Sequence, residues 1–415
     1  MQNKNRISHR ISRRSLLKGG LGLSLLPSMT PHSAMANEDE RRFLFVFAEG
    51  GWDQCHIFAP LWSNSQIDME RDSSLGQVGN IQYVDSPIKP AVGEFLRAYG
   101  HRTCFVHGIG VRSVAHDTCL RLIWAGTSND RCNDWASIIA SQSQSEYLLP
   151  HVVLSGPNYS SDYSSYVSRV GANGQLGLLL PPENFTSSTI DTFEDAWLAQ
   201  VQSTPDAASE RFLALQQRAL VAEANLQSIQ NLDSTLNLLE TGEGNDLALD
   251  IQRAIALLGN NVSRCVSLKH EGFQGLGYDS HAANQVQSQN LQELFGELTL
   301  ALRIVEMQYP LLYNNLTVVV LSEMGRFPKL NQRQGKTHWM HTSAILIGSG
   351  VQGDHMVGAY NNDCMSSPVD LVTGGVTDNG VLMKPEHLGA TLLQLADANP
   401  IDHIQDVPPI LGALL

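Results

Sequence analysis

Acidic and imidazole side chains gather in this chain where apolar runs end. Four such clusters stand out: Glu49-Gly50-Gly51-Trp52-Asp53 after RFLFVFA, Asp279-Ser280-His281 before a long helical pattern, Ser322-Glu323-Met324-Gly325-Arg326 after LTVVVL, and His338 with His341 ahead of SAILIG. Carboxylate oxygens and imidazole nitrogens are the donors that one or two divalent cations take, and a bound cation polarises an ester oxygen and acidifies water. Each cluster also has a plainer reading. Asp53 after two glycines suits a turn, Glu323 a solvated strand end, and the two histidines satisfied loop polar groups. Asp279 or Ser280 suits the cap of the helix that follows. Alternatively, Asp279 and His281 project the same way from an extended segment and offer an oxygen and a nitrogen to one ion. His116 is a ligand, a substrate contact or an ordinary helix-start residue. Arg326 suits either a bidentate grip on an anion or a structural ion pair.

The elements that must position these groups read as alternating strands and helices. The apolar run at 42–48 breaks at Glu49-Gly50-Gly51, as a buried parallel strand does at the carboxyl edge of a sheet. A helix over 90–99, a strand at 103–108, helices over 116–125 and 134–145 and a strand at 151–156 continue the rhythm. Residues 157–190 read as loops, and amphipathic helices follow over 191–240 and 245–268, separated by the turn TGEGND. That block, about 191–268, reads as a helical insertion. The alternation then resumes with a helix at 284–308, strands at 316–322 and 343–348 around a polar loop, and a helix at 385–398 with Pro385 in its first turn. The expected fold class is α/β, a mostly parallel central sheet flanked by helices. In such sheets ligands collect beyond the carboxyl ends of the strands, where all four clusters fall.

Residues 1–36 read as an export leader. Ser12-Arg13-Arg14-Ser15-Leu16-Leu17-Lys18 is a twin-arginine pattern, followed by the apolar run GLGLSLLPSM and the small-residue pattern Ala34-Met35-Ala36. The expectation is a periplasmic or secreted protein handed to the twin-arginine translocase, its remaining residues 37–415 forming one domain with no membrane span. The formal net charge is −14, and every charged residue of the leader is basic, so the remainder is more acidic still. Such a surface argues against nucleic acid and anionic lipid as partners; an anionic substrate needs a local positive centre, which a cation supplies. The six cysteines include no CxxC, and a bridge such as Cys119 to Cys132 is left open.

The order Gly50-Gly51-Trp52-Asp53, Gly277-Tyr278-Asp279-Ser280-His281, Ser322-Glu323-Met324-Gly325-Arg326 with Asn331, then the His338-Trp339 loop and GSGVQGDHMVG resembles the twin-arginine-exported domain-of-unknown-function 1501 family. That family is similar in core to the alkaline phosphatase and sulfatase superfamily. The resemblance implies an alkaline-phosphatase-like core and a hydrolase of a phosphate or sulfate ester, small-molecule or glycan. It implies one or two divalent metal ions (zinc, calcium, manganese or magnesium) held by Asp53, Asp279, His281, Glu323 and His338, with His116 and Arg326 as catalytic candidates. A non-catalytic descendant that binds a metal, a glycan or an envelope partner is the alternative. Three positions depart from the pattern: Glu323-Met324-Gly325 replaces Asp-His-Gly, Thr337 replaces an aspartate, and Ala115 stands before His116 where a serine nucleophile is usual.

Overall fold

The computed structural model describes residues 40–171, 233, 236 and 246–415. The chain divides into two compact units, Met1–Ala34 with Ala172–Leu239 and Met35–Gly171 with Glu240–Leu415; the second holds the central sheet and all four polar clusters. The helices expected over 191–240 lie outside the described residues, apart from Asp233 and Leu236, which are helical.

In chain order the strands are β1 (Arg42–Ala48), β2 (Ser74–Val78), β3 (Ile81–Asp85), β4 (Thr103–Gly110), β5 (His151–Val153), β6 (Val167–Arg169), β7 (Cys265–His270), β8 (Leu316–Leu321), β9 (Gly325–Arg326), β10 (His338–Trp339), β11 (His341–Gly348) and β12 (His355–Val357). The α-helices are α1 (Pro90–Tyr99), α2 (His116–Ala125), α3 (Trp135–Ser141), α4 (Leu247–Gly259), α5 (Val286–Gln308), α6 (Pro310–Asn315) and α7 (Pro385–Leu395). Eight strands make one sheet in the order β12-β4-β11-β8-β1-β7-β5-β6, while β2 with β3 and β9 with β10 form small antiparallel pairs. Within the large sheet only β11 runs against its neighbours.

The central strands are apolar because both faces of the sheet are covered. All seven residues of β1 are buried, and Phe45 and Phe47 meet the ring of Trp124 on α2 at 5.7 and 5.9 Å. Removing each such phenyl ring from water stabilises the fold by roughly 1.5–3 kcal/mol. Helices α2, α3 and α7 share that core with Phe43, Phe45 and Phe47. Helix α4 packs on β7, β1 and α5, and α1 on α5.

One sequence expectation fails here. The helix expected over 245–268 stops at Gly259, and Cys265–His270 is a strand in the middle of the sheet, paired with β1 and β5. The insertion therefore does not extend through residue 268. The helix expected over 134–145 is shorter, Trp135–Ser141.

Register decides what leaves the carboxyl edge together. Phe47 pairs with Leu321 of β8, and Ala48 with His270 of β7, so Glu49, Glu271 and Ser322 depart side by side. Because β11 is reversed, its first residue, His341, lies at the same edge, opposite Gly110 at the end of β4. A strand running the other way would have carried His338 to the far edge.

Candidate metal centre

The strand ends are tied before the site is built. Ser322 Oγ donates to Ala48 O at 2.7 Å and accepts from Trp52 N at 3.1 Å, fastening β8 to the segment after β1. Gly50, at φ 114°, lies so close to the 278–279 backbone that a Cβ would fall 2.5 Å from Asp279 N. Glycine is required there on both counts, since positive φ is strained for residues with a Cβ. Tight turns follow, Ser280 N donating to Tyr278 O and His281 N to Asp279 O, in place of the extended segment expected from the spacing. Helix α5 has no side-chain cap, and Ser280 bonds Asn284 instead.

These turns bring Asp279 Oδ1 within 3.1 Å of His281 Nε2, and the same oxygen lies 3.5 Å from His338 Nε2 and 3.6 Å from His116 Nε2. His338 Nε2 is in turn 3.0 Å from His116 Nε2 and 2.8 Å from His281 Nε2. His116, Asp279 and His338 each offer a ligand atom within 4.8 Å of the others. Half of the Asp279 side chain is exposed (47%), as is much of His281 (43%), so the cluster opens to solvent.

The outer nitrogens show what the inner ones present. Val114 O lies 2.6 Å from His338 Nδ1; a carbonyl only accepts, so that nitrogen carries the proton and Nε2 carries a lone pair. His116 Nδ1 donates to Glu323 Oε1 at 2.7 Å, so its Nε2 is the atom turned toward the cluster. At 3.0 Å the two Nε2 atoms are held together by a proton on His116 or by a cation between them. Orienting carboxylates and carbonyls behind ligand histidines are the usual second layer of a metal centre.

Charges follow the same layout. The hydrogen bond to Glu323 raises the His116 imidazole above its ordinary value despite burial. Burial lowers His338, and Arg326, His116 and His281 push it the same way, against Val114 O. Burial acts to raise Asp279, but Arg326, His281 and His116 together hold the carboxyl below the usual carboxylate range.

Two expected roles change. Arg326 does not reach toward an anionic ligand: its side chain is fully buried and its donors go to Gly51 O (2.9 Å), Lys336 O (3.3 Å), Gly50 O and Asp279 Oδ1 (2.6 Å). It positions Asp279. Glu323 is not among the converging atoms; it accepts from Gly50 N and touches the cluster through His116.

Asp53 is the third change. Its carboxylate accepts from Lys336 Nζ at 2.7 Å, Asn284 Nδ2 at 2.6 Å and Cys55 N at 3.0 Å, with His56 Nε2 at 3.5 Å. Asp53 and Lys336 both have fully buried side chains. Burial would raise Asp53, but Lys336 and His56 bring it below the ordinary range. An ammonium stands where the sequence led one to expect a metal ion. His341 also turns away, its Nδ1 bonded to Ser366 Oγ at 2.6 Å.

Residues 40–373 match the family described as protein of unknown function (DUF1501). The chain belongs to that family. No curated protein matches the sequence. Among solved structures, it is similar to the lipoteichoic acid synthase LtaP from Listeria monocytogenes (10% identity, 95% of this chain and 80% of that one, TM-score 0.42). It is similar as well to a putative sulfatase from Bacteroides thetaiotaomicron (10%, 91% and 75%, 0.42) and to a protein in the alkaline phosphatase superfamily from Vibrio parahaemolyticus (10%, 97% and 78%, 0.37). Likenesses this distant say nothing of what this family member acts on.

The departure at Ala115 has a structural counterpart. Ala115 is the N-cap of α2 and has no side-chain hydrogen bond, while Ser113 Oγ accepts from Ala115 N at 3.2 Å. Among the described residues no hydroxyl or thiol is bonded to the histidine cluster. Sequence reasoning missed Lys336 and Val114. Lys336 carries no signal beyond being one lysine in a polar loop, and Val114 acts through a backbone oxygen, which no residue type advertises.

Proposed function

We propose that this chain is a metal-dependent hydrolase of a phosphate or sulfate ester. From its twin-arginine pattern we place that activity outside the cytoplasm. The observation that carries the reading is the pair of oriented imidazoles, His116 and His338, whose Nε2 atoms converge beside Asp279. His116, Asp279 and His338 would hold the ion, with His281 next to them. An imidazole-rich donor set favours zinc or a similar transition ion over calcium or magnesium. Such an ion supplies a Lewis acid at the ester oxygen and acidifies bound water.

The chain's own residues do the rest. Val114 O and Glu323 fix the two imidazole tautomers, and Arg326 fixes Asp279. The open side at Asp279 and His281 admits an ester to an otherwise acidic molecule. With no hydroxyl of the described residues bonded to the cluster, water is the nucleophile this arrangement favours. Ala115 at the start of α2 also supports a second reading, a metal-binding protein of the cell envelope without turnover.

Elemental analysis of protein purified without chelator, paired with turnover of aryl phosphates and sulfates, tests both. Stoichiometric metal with turnover, both lost in Asp279→Ala/His281→Ala, is the expected result. Metal without turnover across an ester panel leaves the binding reading, and protein that takes up no transition metal ends both.

A further inference from the structure

Asn331 lies in the loop that joins β9 to β10 and carries the chain from Arg326 to His338. Its amide bonds in both directions. Oδ1 accepts from Arg333 N at 2.8 Å and Gly335 N at 3.1 Å, while Nδ2 donates to His281 O at 3.0 Å. Backbone N–H groups only donate and a carbonyl only accepts, so a single orientation of the amide satisfies all three. Oδ1 thereby closes the turn at 331–335, where Asn331 N also donates to Gly335 O at 2.8 Å and Gln334 N to Asn331 O at 3.0 Å. Nδ2 ties that turn to the backbone of a cluster histidine.

Other bonds join the same two segments. Ala283 N donates to Arg333 O at 3.2 Å, Asn284 N to Gln334 O at 2.8 Å and Lys336 N to Ser280 O at 2.9 Å. Gly335 comes so near that a Cβ there would lie 2.1 Å from the His281 carbonyl carbon. Lys336 Nζ is anchored in turn by Asp53 and by Asp68 O at 2.9 Å. His281 N donates to Asp279 O, so with Asn331 on its carbonyl both backbone polar groups of His281 are held. His281 Nε2 then lies 2.8 Å from His338 Nε2, although the two residues are 57 positions apart. Ligands from separate segments can share an ion only if their backbones are locked together, because ligand distances tolerate about 0.2 Å.

We propose that Asn331 is a positioning residue of the histidine cluster, its amide fastening the β9–β10 loop to the 279–284 turn and so setting the His281 imidazole against that of His338. This role rests on the metal-centre reading above.

The test compares full-length, metal-stripped wild type with Asn331→Asp and Asn331→Ser by zinc titration against a chromogenic chelator. Aspartate keeps the acceptor that closes the turn but puts a second acceptor where the donor to His281 O was. Serine keeps a weaker turn acceptor and stops one bond short of that carbonyl. Zinc affinity should fall ~10–100-fold in both, with circular dichroism unchanged. A new carboxylate beside the cluster would by charge alone tighten cation binding, so a fall in Asn331→Asp reports lost alignment. Ring NMR signals of the metal-free chains give a second readout. Those of His281 and His338 should move in Asn331→Ser, while that of His151, at the opposite edge of the sheet, should not. Affinity within about twofold of wild type in both variants, or tighter in Asn331→Asp, overturns the proposal, as do unmoved ring signals. If wild type takes up no zinc, the metal reading fails, and the ring signals still show whether Asn331 aligns the two imidazoles.

Discussion

Two polar groups sit at the same edge of the sheet and are made of the same residue types, yet they are opposites. Around Asp53 every charge is matched: Lys336 lies against the carboxylate, His56 and Asn284 complete it, and His56 Nδ1 continues through Ser288 to Glu70, itself paired with Lys89. Around Asp279 the imidazole nitrogens face one another, and the carboxylate is half exposed. The first group is closed on every side; the second is open to solvent, its carboxylate paired on the inner side with Arg326 and facing three imidazoles on the outer. Both aspartates have a basic partner, so what separates a candidate binding site from packed structure here is the open face and the converging imidazoles, not the charge alone.

The largest effect should come from breaking the closed group. Lys336→Met strands a buried carboxylate, and urea titration should register a loss of about 3–5 kcal/mol. Adding Asp53→Asn should return much of it. A single variant within about 1 kcal/mol of wild type would show that Asp53 is not held by charge.

In the open group the pattern should invert. His338→Ala should abolish stoichiometric metal uptake while the metal-free protein stays within about 1 kcal/mol of wild type, because the side chain is partly exposed. Loss of folding together with loss of metal would mean that the two groups do not differ in kind.

A smaller change sharpens the contrast. Glu323→Gln keeps the shape behind His116 but removes its charge, and metal affinity measured by competition with a chromogenic chelator should fall ~10–100-fold with the fold intact.

The smallest effect is on pH dependence. The Asp53 carboxyl is lower in the folded chain than its unfolded 3.8, so its stabilisation is present above that pH and lost as pH falls through the folded value. Burial alone would lower Lys336, but Asp53 raises it above 10.5, so its stabilisation is present below that pH and lost as pH rises through the folded value. The pair's own contribution to the urea midpoint should therefore be flat between these limits and fall at both ends. In Lys336→Met/Asp53→Asn both declines should be shallower; equal slopes would remove the pair from the account.

Much of the scaffold was legible because it is written in local pattern. β1 and β8 are unbroken apolar runs, and Pro90 and Pro385 mark helix starts in their first turns. β7 escaped because CVSLKH alternates polar residues that find partners only in the fold. Ser267 bonds His151 at 2.8 Å, and Lys269 pairs with Glu49 and Glu271. The short strands β9, β10 and β12 hold too few residues to show a period.

Sequence alone determined the alternation of strands and helices, the family, and the residue types gathered at one edge, because apolar periodicity and motif order are properties of neighbours along the chain. It also named His116, Asp279, His281 and His338 as candidates. Only the tertiary structure decided that Asp53 belongs to Lys336 while Asp279 belongs to the histidines, and that Arg326 serves Asp279. The interaction of two charges depends on their separation and on the water between them, and residues 283 positions apart along the chain, Asp53 and Lys336, acquire both only when the strands come into register.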